Sequence, residues 1–399
     1  MKNFYYRSIQ AGMRIGINLL NWNTPKLLEG KDSSMLLPKI IKEETIEKVL
    51  IVTDEGLTEI GLFKPLLAGL DEEGIDYFIY NKTVPNPTIE NIEEGRSLYI
   101  ESNCQAIIAF GGGSAMDCAK GIGARIAKPN VSIPDMKGLF KIRKNLPPLF
   151  AVPTTAGTGS EGTLAAVVSN PITNEKYAIM DLSLIPAYAV LDCALTTGLP
   201  PHITATTGMD ALTHAVEAYI GKSNTKETEK YAKDAIVLIF ENLYTAYTQG
   251  DHLEARANML KASYLAGLAF TRAYVGNVHA IAHTLGGFYS VPHGLANAVI
   301  LPYVLDYYGE TAYKRLAELA DLIKITDEHH TIKEKAIKFT EEIKRLNSKM
   351  NIPEKLSVIE DHHIPKMVDR AFAEANPLYP VPKIFTKADF KFIYDEIKA

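Results

Sequence analysis

The sequence predicts an α/β chain of two domains: a parallel-sheet domain over residues 1–193, followed by an all-helical domain over residues 194–399. Three observations carry this. Short runs rich in β-branched residues alternate with longer amphipathic runs from about residue 46 to residue 192, the pattern of a parallel sheet covered by helices on both faces. Strand patterning stops near Leu195, and almost everything after it has helical periodicity. A chain of 399 residues is also too long for one small core, so a boundary is expected where the composition shifts, near residue 193.

Residues 48–53, Lys-Val-Leu-Ile-Val-Thr, read as a buried strand with Asp54 at its carboxyl end. Residues 57–73 read as a helix stopped by Gly74, and 75–80 as the next strand. Val84-Pro-Asn-Pro-Thr88 is a turn in which Thr88 caps a helix running to Asn103, with Glu90, Glu93 and Glu94 near its favourable amino end. A third strand at 105–110 leads through Gly111-Gly-Gly-Ser114 into a helix ending about Ala127, and 148–153 is a fourth. Two alternating runs between 163 and 181 surround Asn170-Pro-Ile-Thr-Asn174, a β-hairpin, and 187–192 is the last strand. Helical patterns then cover 208–220, 226–248, 253–270, 276–286, 294–308, 310–323, 331–347 and 385–398. The first 25 residues carry aromatic and aliphatic groups suited to packing on the sheet or on another subunit.

Composition narrows the function. Hydrophobic residues make up 47% and charged residues 22%, ordinary for a soluble enzyme. A net charge of -5 gives no footprint for nucleic acid or anionic lipid. Cys104, Cys118 and Cys193 are odd in number and far apart, which fits reduced thiols in a cytoplasmic protein better than a disulfide frame. The amino terminus lacks the apolar core of a signal peptide, and no run approaches the ~20 apolar residues that span a bilayer.

Four residues stand out chemically. Asp210 and His214 are four apart in Gly-Met-Asp-Ala-Leu-Thr-His-Ala-Val-Glu-Ala, hence on one helical face. His279 lies in Gly-Asn-Val-His-Ala-Ile-Ala-His-Thr-Leu-Gly-Gly, and His293 follows in Val-Pro-His-Gly, where Pro292 and Gly294 mark a bend. A lone histidine is more often a hydrogen-bonded core residue. Here His214, His279, His283 and His293 cluster in two short apolar stretches, while His202, His252, His329, His330, His362 and His363 fall in polar loops and read as surface residues. One carboxylate with three imidazoles suits iron(II) or zinc and is too poor in sulfur for a structural zinc knot.

Two loops suit phosphate. Ala109-Phe-Gly-Gly-Gly-Ser-Ala-Met-Asp117 places three glycines between a strand and a helix, where the backbone can approach a ligand and free amides meet it. Pro153-Thr-Thr-Ala-Gly-Thr-Gly-Ser-Glu161 also follows a strand and adds hydroxyls. The spacing is not that of Gly-x-Gly-x-x-Gly. Asp54, ending a strand of the same sheet, is placed to accept from a ribose diol and to repel a 2′-phosphate; the bland alternative is a solvated loop carboxylate.

Together the motifs Gly-Gly-Gly-Ser-x-x-Asp, Thr-Thr-Ala-Gly-Thr-Gly-Ser-Glu, Asp-Ala-Leu-Thr-His and the histidine pair ahead of Pro-His-Gly resemble the iron-containing (group III) alcohol dehydrogenase family from about Lys48 to Tyr308, and again at Asn376-Pro-Leu-Tyr-Pro380. The resemblance implies a Rossmann-like amino-terminal domain in a dehydroquinate synthase-like fold. It implies a divalent metal, Fe2+ with Zn2+ as alternative, on Asp210, His214, His279 and His293. His283 would lie near the nicotinamide and substrate and relay a proton. Asp54 would contact the adenosine ribose and favour NAD over NADP. Gly112, Gly113, Ser114 and Asp117 fall on the pyrophosphate loop and Thr154, Thr155 and Gly157 on the second loop. Lys176 matches a lysine near the cofactor ribose, Asn86 lies on the adenine side, and Phe270 matches a substrate-pocket position. The first 45 residues depart from the usual family opening. The implied activity is reversible hydride transfer between NAD and a small primary alcohol or diol, giving its aldehyde, in a cleft between the domains, by a homo-oligomer (dimer or larger). Neither nucleic acid nor membrane is an expected partner. A lyase similar to dehydroquinate synthase is the competing reading, but such relatives use a glutamate and two histidines, and the apolar segment 269–271 suits its acidic substrate poorly. A non-catalytic sensor on the same fold is expected to have lost a ligand, and none is missing.

Overall fold

The central strands are apolar on both sides, as a parallel sheet buried on both faces requires. The computed structural model describes residues 2–18, 20, 22–171 and 175–399. Its strands are β1 (Lys26–Glu29), β2 (Lys48–Val52), β3 (Asp76–Tyr80), β4 (Ala106–Gly111), β5 (Gly138–Leu139), β6 (Leu149–Pro153), β7 (Ala165–Asn170), β8 (Glu175–Met180) and β9 (Tyr188–Leu191). A parallel sheet runs in the order β1-β9-β6-β4-β2-β3, and a smaller one in the order β5-β8-β7. β7 and β8 are the antiparallel arms of the expected hairpin; residues 172–174 at its turn lie outside the described residues.

Strand alternation divides the core. Leu50, Val52, Ile107, Ala109 and Ala151 pack with Ile92, Met116, Ala119 and Ile122 from the helices Ile89–Glu101 and Gly113–Ala127. Val49, Ile51, Ile108, Phe110 and Val152 face the other way, onto Leu37, Ile41, Leu66 and Leu70. Each fully buried Val, Leu, Ile, Met or Phe side chain among these contributes roughly 1.5–3 kcal/mol relative to exposure. Register then positions the loops. β2, β4 and β6 are neighbours, with Val52 opposite Ala109 and Gly111 opposite Pro153, so the three chains leave the sheet at one rim. Ligands of open α/β sheets collect at such a rim.

Several elements differ from expectation. The single helix expected at 57–73 is two, Glu55–Ile60 and Lys64–Glu72, because Gly61 adopts φ 65° and ends the first. β1 was not expected; four residues are too few to show a period, and its partner β9 lies far along the chain. The helix Ile364–Ala375 was not expected either, although Ile364, Met367, Val368, Ala371 and Ala375 are buried at helical spacing.

The domain division also differs. One compact unit comprises Trp22–Leu199 with Asp251–Tyr264; the other joins the helix Lys2–Asn18 to Pro200–Gly250 and Leu265–Ala399. The amino-terminal helix therefore belongs with the helical unit and not with the sheet. Arg7 donates to Pro382 O at 3.0 Å, and Gln10 to Pro377 O and Tyr379 O, each at 2.9 Å. The sequence places residues 251–264 in the helical part, because a helix reads the same whichever unit it packs on; Ser263 Oγ accepts from Gly159 N at 3.0 Å and ties this stretch to the sheet unit. No helix among the described residues is long and apolar enough to cross a membrane. All three cysteines are buried free thiols.

Candidate active site

The helix Pro201–Ile220 is buried along most of its length, and Asp210 and His214 sit one turn apart within it. The helix Asn277–Tyr289 does the same for His279 and His283. Pro292 holds an extended conformation, and His293 opens the helix His293–Tyr308, one turn before Asn297. One donor atom from each of Asp210, His214, His279 and His293 lies within 4.8 Å of all the others. Ring centroids are 4.5 Å apart for His214 and His279 and 5.3 Å for His279 and His293. Asp210, His214 and His279 are buried, and His293 is half-buried.

These residues fit a cation. The Asn297 Nδ2 group carries two hydrogens but faces three acceptors, Asp210 Oδ1 at 2.6 Å and the Nε2 atoms of His279 and His293, each at 3.2 Å. Lone pairs so arranged exceed what one amide can satisfy, and a divalent ion would take them together. Burial pushes the His279 pKa down to about 3, so its imidazole is neutral and able to ligate. A second group, Glu360, His362 and His363, also brings donor atoms within 4.8 Å, but His362 and Glu360 are exposed. His202 differs from expectation in lying in the first turn of its helix, still exposed.

In the sheet unit the two glycine-bearing loops touch. Thr154 N donates to Gly111 O at 3.0 Å, Thr155 lies against Gly112, and Thr158 against Gly113. A Cβ on Gly113 would stand 2.6 Å from Thr158 Cγ2, so only glycine permits this approach. Gly112 caps the helix Gly113–Ala127 and has no side chain to spend on its first amides. Ser160 Oγ donates to Asp117 Oδ1 at 3.1 Å, and buried Lys120 donates to Ser160 O at 2.7 Å, Thr163 O at 2.9 Å and Ala165 O at 2.8 Å, holding the second loop against the first helix. Burial pushes the Asp117 carboxyl up to about 6. Asn86 N donates to Ser114 Oγ at 3.2 Å, and Lys176 Nζ to Asn86 Oδ1 at 2.6 Å, so these three residues form one group. Gly157 is buried within the second loop. Asp54 is not simply solvated: its Oδ1 caps the helix Glu55–Ile60 by accepting from Leu57 N at 2.9 Å.

Two family models match the chain: "Iron-containing alcohol dehydrogenase" over residues 24–193 and "Fe-containing alcohol dehydrogenase family, C-terminal" over residues 204–397. The chain belongs to the iron-containing alcohol dehydrogenase family. It is 44% identical to alcohol dehydrogenase 4 of Saccharomyces cerevisiae (strain YJM789) over 79% of this chain and 81% of that protein. A crystal structure of a 1,3-propanediol oxidoreductase superposes with a TM-score of 0.91 at 35% identity, covering 95% of this chain and all of that one (100%). The sulfoacetaldehyde reductase of Bifidobacterium kashiwanohense, solved in complex with NAD+, superposes with a TM-score of 0.84 at 28% identity, over 95% of this chain and 98% of that one.

In this iron-containing alcohol dehydrogenase, Phe270 stacks on His214 with centroids 4.2 Å apart. His283 stands outside the four-donor group. Its ring stacks on His293 at 5.2 Å, and its Nδ1 lies 2.6 Å from Glu374 Oε1, which also accepts from Tyr379 OH at 2.8 Å. Sequence reasoning missed Glu374, Asn297 and Glu217, whose Oε2 lies 2.6 Å from His279 Nδ1. Glu217 and Asn297 did leave a signal, each being a polar residue on the buried face of an apolar helix. Glu374, 91 residues from His283, left none.

Proposed function

We propose that this chain interconverts a small primary alcohol or diol and its aldehyde, with NAD as hydride acceptor and a divalent ion, iron(II) with zinc as the alternative, on Asp210, His214, His279 and His293. The single observation that carries the reading is the convergence of those four donor atoms. When bound, the cation supplies Lewis-acid polarisation of the alcohol oxygen and the nicotinamide supplies the hydride acceptor. The chain's own residues do the rest. Asp210 and the three imidazoles hold a mixed oxygen and nitrogen donor set, and Phe270 offers an apolar wall beside His214 that suits a small carbon skeleton. His283 is oriented by Glu374, which leaves its Nε2 to take the alcohol proton and pass it outward. Gly112, Gly113 and Ser114 present amides and a hydroxyl to the pyrophosphate, with Thr154, Thr155 and Gly157 on the facing loop. Asp117 anchors that loop through Ser160, and Lys176 with Asn86 reaches toward the nucleoside. Asp54 keeps one carboxylate oxygen beyond its capping bond for a ribose diol, which favours NAD.

The test is net reduction of NAD by a panel of alcohols and diols, with metal analysis of anaerobically purified protein. The proposal expects NADH to accumulate in proportion to bound metal. A protein that recycles its cofactor without net NADH would be a lyase, and the dehydrogenase reading would be wrong.

A further inference from the structure

The helix Asn277–Tyr289 begins at Gly276, whose position as cap offers no side chain to the first amides. Those amides turn to a carboxylate from another helix. Glu217 Oε2 accepts from Gly276 N at 2.8 Å and Oε1 accepts from Val278 N at 2.8 Å. The same Oε2 lies 2.6 Å from His279 Nδ1, and both side chains are almost completely buried, 1% and 2% exposed. An added Cβ on Gly276 would stand 2.6 Å from Glu217 Oε1, so glycine is what admits the carboxylate there.

A carboxylate that already accepts two backbone N–H bonds is an acceptor to the ring as well, so the imidazole hydrogen must sit on Nδ1. That commits the lone pair to Nε2, the atom that faces Asn297 together with Asp210 and His293. Glu217 stands seven residues after Asp210 and three after His214, on the same buried helix. Resting on the metal-centre reading above, we propose that Glu217 is a positioning residue that selects the ligating tautomer of His279 and locks the His279 helix onto the Asp210 helix. It touches neither substrate nor ion.

The experiment compares wild type, Glu217→Gln and Gly276→Ala. Zinc affinity is measured by competition with a chromophoric chelator, and the His279 tautomer by nitrogen-15 shifts of histidine-labelled, metal-free protein. Wild type should show His279 with its hydrogen on Nδ1. A glutamine at 217 has one acceptor oxygen for three donors, so Glu217→Gln should populate the other tautomer and weaken zinc binding about 10- to 100-fold. Gly276→Ala keeps the charge but displaces it, and should weaken zinc in the same direction; it decides the matter alone if Glu217→Gln does not fold. Wild-type zinc affinity in both variants, or an unchanged tautomer in Glu217→Gln, overturns the proposal. So does a lower melting temperature with neither change, because Glu217 would then be a helix cap only. If wild type itself binds no zinc, the metal-centre reading fails, while the tautomer measurement still judges Glu217 separately.

Discussion

The helical unit and the sheet unit build their candidate sites in opposite ways. The four-donor cluster is made of side chains held in part by other side chains: Asp210 by Asn297 and His279 by Glu217, as neighbouring His283 is by Glu374. The loops at the sheet rim are made of backbone, brought together by the absence of side chains at Gly112 and Gly113 and held by Lys120 from below. A metal demands particular lone pairs at short range, whereas a phosphate is satisfied by amides and positive potential that any close-approaching backbone can present. The two sites should therefore fail differently. Losing a donor should remove the function of the first, while adding a single methyl group should damage the second.

The largest expected effect is in the donor cluster. His279→Ala and His293→Ala should each abolish both bound metal and alcohol oxidation; full activity in either variant would remove the site. Next comes Gly113→Ala, whose new Cβ meets Thr158. Overpacking of this kind costs ~1–3 kcal/mol, and the Michaelis constant for NAD should rise more than turnover falls. An unchanged melting curve and NAD dependence would mean that the loops are not constrained as described. A smaller effect is expected at Asp54, where cap and charge can be separated. Asp54→Ser keeps a good helix cap and Asp54→Gly costs only a few tenths of a kcal/mol there, so both should relax the preference for NAD over NADP with little loss of stability. A cofactor ratio identical to wild type would assign Asp54 to capping alone. The smallest effect concerns the cysteines. Burial pushes the Cys104 thiol up to about 11 and Cys118 up to about 12, so neither should be labelled by a thiol reagent at pH 8 until the protein unfolds. Rapid labelling of the folded protein would contradict their burial.

Local signals along the chain and contacts between distant residues differ in how far the sequence reveals them. The strands 48–52 and 106–110, the helix that carries Asp210 and His214, and the turn into His293 were all legible, because period and punctuation act within a few residues of one another. The break at Gly61 was harder to see, since the glycine interrupts an otherwise continuous amphipathic pattern. The helix at Ile364–Ala375 carried a readable spacing, with Pro365 in its first turn directly after the histidine pair His362 and His363.

Spacing along single helices and turns dictates the alternation of elements and the glycine loops, and it singles out Asp210, His214, His279 and His293 as candidate donors. Tertiary structure alone decided what surrounds them. Glu217 and His279 are 62 residues apart, Asn297 and Asp210 are 87 apart, and the amino-terminal helix reaches Pro382 across 375 residues. Hydrogen bonds and burial depend on distance in space, and chain separation carries no record of that distance until the helices have packed.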